Sequence, residues 1–366
     1  MSTAIGSSSY GTLDRLLGSL GSLQAQYGTL QQQSATGKLA TSYAGLGAMS
    51  GQVVDLTSAT SQSDAYVQAI TIAQSKAAVM QDALTQLNSV VSNMAAGALT
   101  LSGSSAAGSV DSVAQEARQA LSQVVSLLNT KNGSDYVFSG ADTANPPVPS
   151  PDSVTSSGLY TKIGAQVAAL ATTPTSPAIG TVIANTVAIA QDPSAGTTIF
   201  SSYLTGAGAN APPDLIQVSA SEKVSLDLPV NRNAGATSDP SINGTGSAMN
   251  DVLRSLSVIA NSTGAMASNP DFQVLMKDAS STLTSAATTL TAEAGQIGLT
   301  QNALTAATAS HASLKTALTT QLTGLTDVDM ASTISTLQAV GSQLQASYNV
   351  LAIARNLNLA SYLQGG

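Results

Sequence analysis

From Leu13, apolar residues recur at Leu16, Leu20, Leu23, Tyr27 and Leu30. The steps alternate between three and four residues, the period that holds one stripe of a helix against a partner helix. The stripe stops in Ser34–Leu39 (SATGKL), where Gly37 predicts a helix end. A longer stripe runs from Tyr66 through Ile70, Ala73, Ala77, Met80, Leu84, Leu87, Val91, Met94 and Ala98 to Leu101. It is sustained for about five heptads, beyond the three or four that define a coiled coil. With a rise of ~1.5 Å per residue, this predicts a helix roughly 50 Å long. Gly103 to Gly108 breaks it, and a further helix is predicted over 110–131, ending at the turn pair Asn132-Gly133.

The pattern returns in the second half. Val252, Leu253, Leu256 and Ile259 predict a helix after Ser247. Asn269-Pro270 is a start signal, an N-cap followed by proline in the first helical position. A stripe then runs from Met276 through Leu283, Leu290, Ile297, Leu304 and His311 to Leu322. Thr326–Asp329 reads as a capping box that restarts the helix. The last stripe passes Met330, Ile334, Leu337, Leu344, Tyr348 and Leu351 and closes with Leu357, Leu359 and Leu363. Between the halves, Pro146, Pro147, Pro149 and Pro151, then Pro174/Pro177 and Pro212/Pro213, interrupt helix formation. Val182-Ile183 and Thr197–Phe200 are short β-branched runs, and Lys223–Val230 alternates as a half-buried strand does.

The order is short stripe, long stripe, insert, long stripe, short stripe. Pairing like with like removes the stripes from water. The expected fold is mainly α: an elongated antiparallel coiled-coil helical bundle formed by the N- and C-terminal segments, with a central β-containing insert domain. The divisions are an assembly helix in 1–46, rod halves in 47–138 and 249–325, the insert in 139–248 and a second assembly helix in 326–366. The residues expected to form the subunit-assembly seams are Leu13, Leu16, Leu20, Leu23, Leu30, Ile334, Leu337, Leu344, Leu351, Leu359 and Leu363.

Composition sharpens this. Of 366 residues only 9% are charged and 3% aromatic, with no Trp and three Phe; an average globular chain has roughly 25% charged residues. A thin, alanine-weighted core suits helices whose remaining apolar surface is covered by other copies. The net charge of −8 comes without a basic patch, which excludes nucleic acid as a partner. No stretch approaches ~20 apolar residues, so membrane insertion is not expected. The N-terminus lacks the charged and apolar regions of a cleaved signal peptide, so an extracellular location implies a dedicated export apparatus. Cysteine is absent, removing thiolate chemistry and disulfides.

The layout and several motifs resemble the flagellin family. SATGKL (34–39) is similar to the motif after that family's first helix, and DVDMA (327–331) to the start of its terminal helix. ARNLNLASYL (354–363) is similar to its apolar ending, and DYVFSGADTANPPV (135–148) resembles a signature of its hook-associated branch. The chain departs from the family where filament subunits carry S-A-x-D-D-A-A-G, having Thr41–Gly47 instead, and in lacking the arginine of G-A-x-x-N-R-L at 297–304. The resemblance implies a secreted, self-assembling structural subunit. Its partners would be further copies, other flagellin-family subunits including hook-associated ones, the flagellar export apparatus and an export chaperone. A translocator or effector of a related export system is the alternative from another class.

Candidate chemistry adds little. His311, the single histidine, falls on an apolar stripe and reads as a polar residue that sets helix register. Asp327 and Asp329 read as helix-capping acids rather than a metal pair. Gly206–Gly208 and Gly244–Ser247 read as turns. The insert contains neither His nor Cys, so no triad or metal site can be assembled there. No cofactor and no enzymatic activity are expected.

Overall fold

The computed structural model describes residues 6–206, 208, 215–226, 228 and 244–363, with side chains from 14 to 353 within them. The protein is mainly α, a helical bundle with two small antiparallel hairpins. It divides into two units: residues 1–64 with 312–366, and residues 65–311.

The larger unit is built on two long helices. α2 (Ser50–Ser102) enters it at Ala65, and α8 (Pro270–Thr326) leaves it at His311. They run antiparallel: Asn88 Nδ2 donates to Thr291 Oγ1 (3.2 Å), and Ser280 Oγ donates to the Ala95 carbonyl (2.9 Å). The heptad stripe of α2 is buried from Ile70 to Leu101 and shares its core with Met276, Leu283, Leu290 and Ile297 of α8. α8 starts where the Asn269-Pro270 signal predicts. Asn269 Oδ1 accepts from the Asp271 N–H, while its Nδ2 reaches Leu170 O, Thr172 O and Thr175 Oγ1, each at 3.0 Å.

α3 (Ala107–Leu128) follows α2 and ends in the hairpin of β1 (Lys131–Asn132) and β2 (Asp135–Tyr136). The chain then folds back along α3. Asn129 clamps Val148, donating to its carbonyl (2.9 Å) and accepting from its N–H (3.0 Å), so Val137, Phe138 and Val148 are buried. The motif at 135–148 is thus a packed structural element.

The insert carries more helix than its β-branched residues suggest. Val182 and Ile183 lie in α5 (Ile179–Gln191), not in a strand: Val182, Ile183, Thr186 and Ala190 are buried at helical spacing against α4 (Gly158–Val167). Burial on the 3.6-residue period outweighs the strand preference of the branched side chains. Thr197–Phe200 forms no strand either; it leads into the short helix α6 (Ser202–Thr205). The alternating run at 223 does form a strand, β4 (Lys223–Ser225), paired with β3 (Leu215–Gln217) so that Ile216 lies opposite Val224. Of the rest of that run, Asp227, Pro229 and Val230 lie outside the described residues.

α7 (Ala248–Ala260) lies against α3, α4 and α5, and every residue in it but Asn250 is buried. Ser247 caps it by accepting from the Asn250 N–H. Such burial leaves Arg254 fully enclosed. Its guanidinium donates to Asp278 Oδ2 (3.0 Å), Thr186 Oγ1 (3.3 Å) and Thr282 Oγ1 (2.8 Å), tying α7 to α5 and α8. Breaking a buried pair costs far more than the pair contributes over an apolar replacement, because one charge stays buried without its counter-charge. Arg254→Ala is therefore expected to destabilise this unit by about 3–5 kcal/mol in chemical denaturation. Replacing Arg254 and Asp278 together by Met and Leu should restore most of that loss.

Candidate assembly surface

The smaller unit holds α1 (Gly6–Thr36), a 3-10 turn at Tyr43–Met49, the ends of α2 and α8, and α9 (Met330–Leu363). α1 ends because Gly37 takes a left-handed conformation (φ 68°), which reverses the chain. The two linkers then pair. Leu39 N–H donates to Thr326 O (2.6 Å), Val328 N–H to Gly37 O (3.0 Å), and Lys38 Nζ meets Asp327 Oδ1 at 2.5 Å. The hydrogen bond from Lys38, with one from the Thr326 hydroxyl, holds the Asp327 carboxyl below its ordinary range. α9 is capped by Asp329 rather than by Thr326: its Oδ1 accepts from the N–H groups of Ala331 (2.9 Å) and Ser332 (3.3 Å). Both acids thus have structural partners, and among the described residues no cluster of acids or histidine could hold a metal ion.

Beyond this joint α1 and α9 pack antiparallel. Tyr27 lies over Gly341, where an added Cβ would stand 3.4 Å from its ring, and Gln24 donates to the Tyr348 hydroxyl. Of the residues assigned to assembly, Leu20 and Leu344 are buried. Leu16, Leu23, Leu30, Leu337 and Leu351 are half-buried, and Ile334 is exposed. Leu13, Leu359 and Leu363 sit on the two helices, but their side chains lie outside the described residues. Two seam positions that pattern reading missed are Thr333 and Val340, both buried. α9 spreads its apolar residues among Ser, Thr, Gln and Asn around the helix, so periodicity could not select the stripe that faces α1.

Apolar side chains also remain uncovered outside the seam. Met330, Ile334, Tyr348, Val350 and Ile353 of α9, with Leu17 of α1, are 39–59% exposed. One helical neighbour covers only one stripe, and these side chains fall beside it or across the helix from it. The arrangement offers the chemistry of helix–helix association.

His311 belongs to the larger unit and has a packing role. Buried at the end of the α8 stripe there, its Nε2 lies 2.8 Å from Val218 O, and the Tyr66 ring is 5.5 Å away. It fastens the β3–β4 hairpin onto α2 and α8, where Val218 joins Ile70, Ala73 and Leu304 in a small core. The stripe showed that His311 is inward-facing; its partner, some ninety residues away in sequence, has no local signal.

A helical subunit that leaves apolar helix surface uncovered at both chain ends is the class of protein that this geometry defines. Comparisons agree in kind. Residues 281–363 match the family model of the bacterial flagellin C-terminal helical region, which takes in the second part of α8 and α9. Among solved structures, a Vibrio parahaemolyticus protein described as a flagellar hook-associated protein is similar at a TM-score of 0.51 and 12% identity, over 75% of this chain and 95% of that one. No curated protein sequence matches the chain. The family match is to the C-terminal helices, and the likeness at 12% identity shows a shared fold.

The two faces of α9 predict different defects. Leu344→Asp, in the seam, should lower helix content and amide-exchange protection in α1 and α9. Ile334→Asp, on the outer face, should leave both unchanged in the monomer, as circular dichroism and hydrogen exchange would show.

Proposed function

We propose that this chain is a structural subunit of the bacterial flagellum that polymerises through α1 and α9, and that it is not an enzyme. The observation that carries the reading is the uncovered apolar side chains of α9 inside the very segment that matches the flagellin C-terminal region. Burying them between copies supplies roughly 25 cal/mol per Å², less the cost of ordering the helices. In this reading the subunit is extracellular and leaves through the flagellar export apparatus, with a chaperone covering the terminal helices beforehand. No helix among the described residues is long and apolar enough to cross a membrane.

Within the flagellum, the hook–filament junction is the favoured place. The YVFSGADTANPP segment supports it, and so does the likeness to a protein described as hook-associated. Filament-forming flagellin is the second reading, favoured by the family model itself. Deleting the gene separates them. A junction subunit predicts hooks without filaments and unassembled flagellin in the medium, whereas a filament subunit predicts loss of the major extracellular protein. Under either reading, removing residues 331–366 should give an exported monomer that fails to incorporate. Normal incorporation of the truncated chain would contradict the role given to α9.

A further inference from the structure

The core of the larger unit contains one acid that its packing does not explain. Glu293 lies on α8, one turn from the buried Leu290 and Ile297, and is itself only 8% exposed. Its Oε1 has no hydrogen-bond partner. Thr291, two residues away and on another side of α8, accepts from Asn88 of α2. A buried carboxylate in that position costs several kcal/mol in principle, and the usual relief is to take up a proton.

No ionic partner offers other relief. On α8, Glu293 is the only charged residue between Asp278 and Lys315. From α2 the charged side chains of the facing stretch are Lys76 and Asp82. Asp82 accepts from Gln86 on the side that Leu127 and Thr130 line. The β1–β2 hairpin contributes Lys131, whose ammonium lies over the Tyr136 ring, and Asp135; the β3–β4 hairpin contributes Glu222 and Lys223, both exposed. Burial alone acts on Glu293, raising its pKa to about 7. The other buried ionic group differs in kind: Asp278 has Arg254, and Asp251 accepts from the Thr245 N–H at 2.7 Å.

We propose that Glu293 is a proton-operated latch in the core of the larger unit: protonated, its buried carboxyl lets α8 pack as a neutral surface; ionised, it loosens that packing. The sign follows from linkage. The folded state holds this proton more tightly than the unfolded chain, so the larger unit gains stability as pH falls through about 7 and loses it as pH rises. Between pH 8 and pH 6 the folding equilibrium constant of the larger unit should increase about tenfold from this one group.

The chain has three glutamates, Glu116, Glu222 and Glu293, so selective carboxyl-13C labelling of the full-length protein gives three signals to follow. Glu293→Gln assigns one by its loss. The latch predicts that this signal titrates near pH 7. It also predicts that corrected amide-exchange protection in α2 and α8 rises from pH 8 to pH 6 in the wild type, and that Glu293→Gln removes this rise. A Glu293 signal that does not titrate between pH 6 and pH 8 would overturn the proposal, even if the Gln variant failed to fold. A pH-dependent rise that persists in a folded Glu293→Gln protein would overturn it as well.

Discussion

Two helices in contact can cover only the stripe along which they touch. In the larger unit that limit is met by number. α2 and α8 are joined by α3, α4, α5 and α7, and the stripes close over a continuous core. In the smaller unit α1 has one principal helical neighbour, α9, whose apolar residues are spread around the helix. The core there thins to Leu20, Leu46, Val53, Leu56, Val340, Leu344 and half-buried neighbours. A chain with three phenylalanines and no tryptophan has few large side chains with which to fill such a gap from within. Covering these apolar side chains with helices of other copies is what links the fold to the proposed function.

The same division explains how the charges are placed. Ion pairs of the smaller unit, Lys38–Asp327 and Lys315–Asp64, are solvent-exposed and contribute on the order of 0–1 kcal/mol each. Their value lies in geometry: together with the paired linkers, Lys38 and Asp327 fix where α1 ends and α9 starts relative to each other. In the larger unit Arg254 is enclosed, and its bonds to three elements make it a determinant of how α7 seats. Among the described residues, the buried polar atoms without a partner lie on α2 (Gln81, Asn88), α7 (Arg254, Ser255) and α8 (Glu293).

Much of this was legible in the chain. The stripe from Ile70 to Leu101 is buried as its 4-3-4-3 spacing demands, and Asn269-Pro270 starts α8 because cap and proline chemistry are local. The helical character of the insert was not legible. Val182 and Ile183 carry a β-branched signal, and only their burial against α4 reveals the helix. Nor could pattern reading choose the inner stripe of α9, where Thr333 turns inward and its neighbour Ile334 outward. On a helix whose apolar residues are spread around it, the partner makes that choice, and the partner lies some three hundred residues away. The contacts made by His311 and the isolation of Glu293 were hidden for the same reason: each depends on what the far end of the chain brings alongside.

The central claim is that the outer face of α9 is covered by other subunits. Because the chain has no cysteine, single-cysteine variants report on one position at a time. Maleimide labelling of Ile334→Cys, compared between purified monomer and assembled flagella, tests the claim most directly, with the seam variant Val340→Cys as the reference that stays protected in both. The account predicts rapid labelling of Ile334→Cys in the monomer and protection in the assembly. Equal, rapid labelling in both states, in a variant shown to be incorporated, would contradict it.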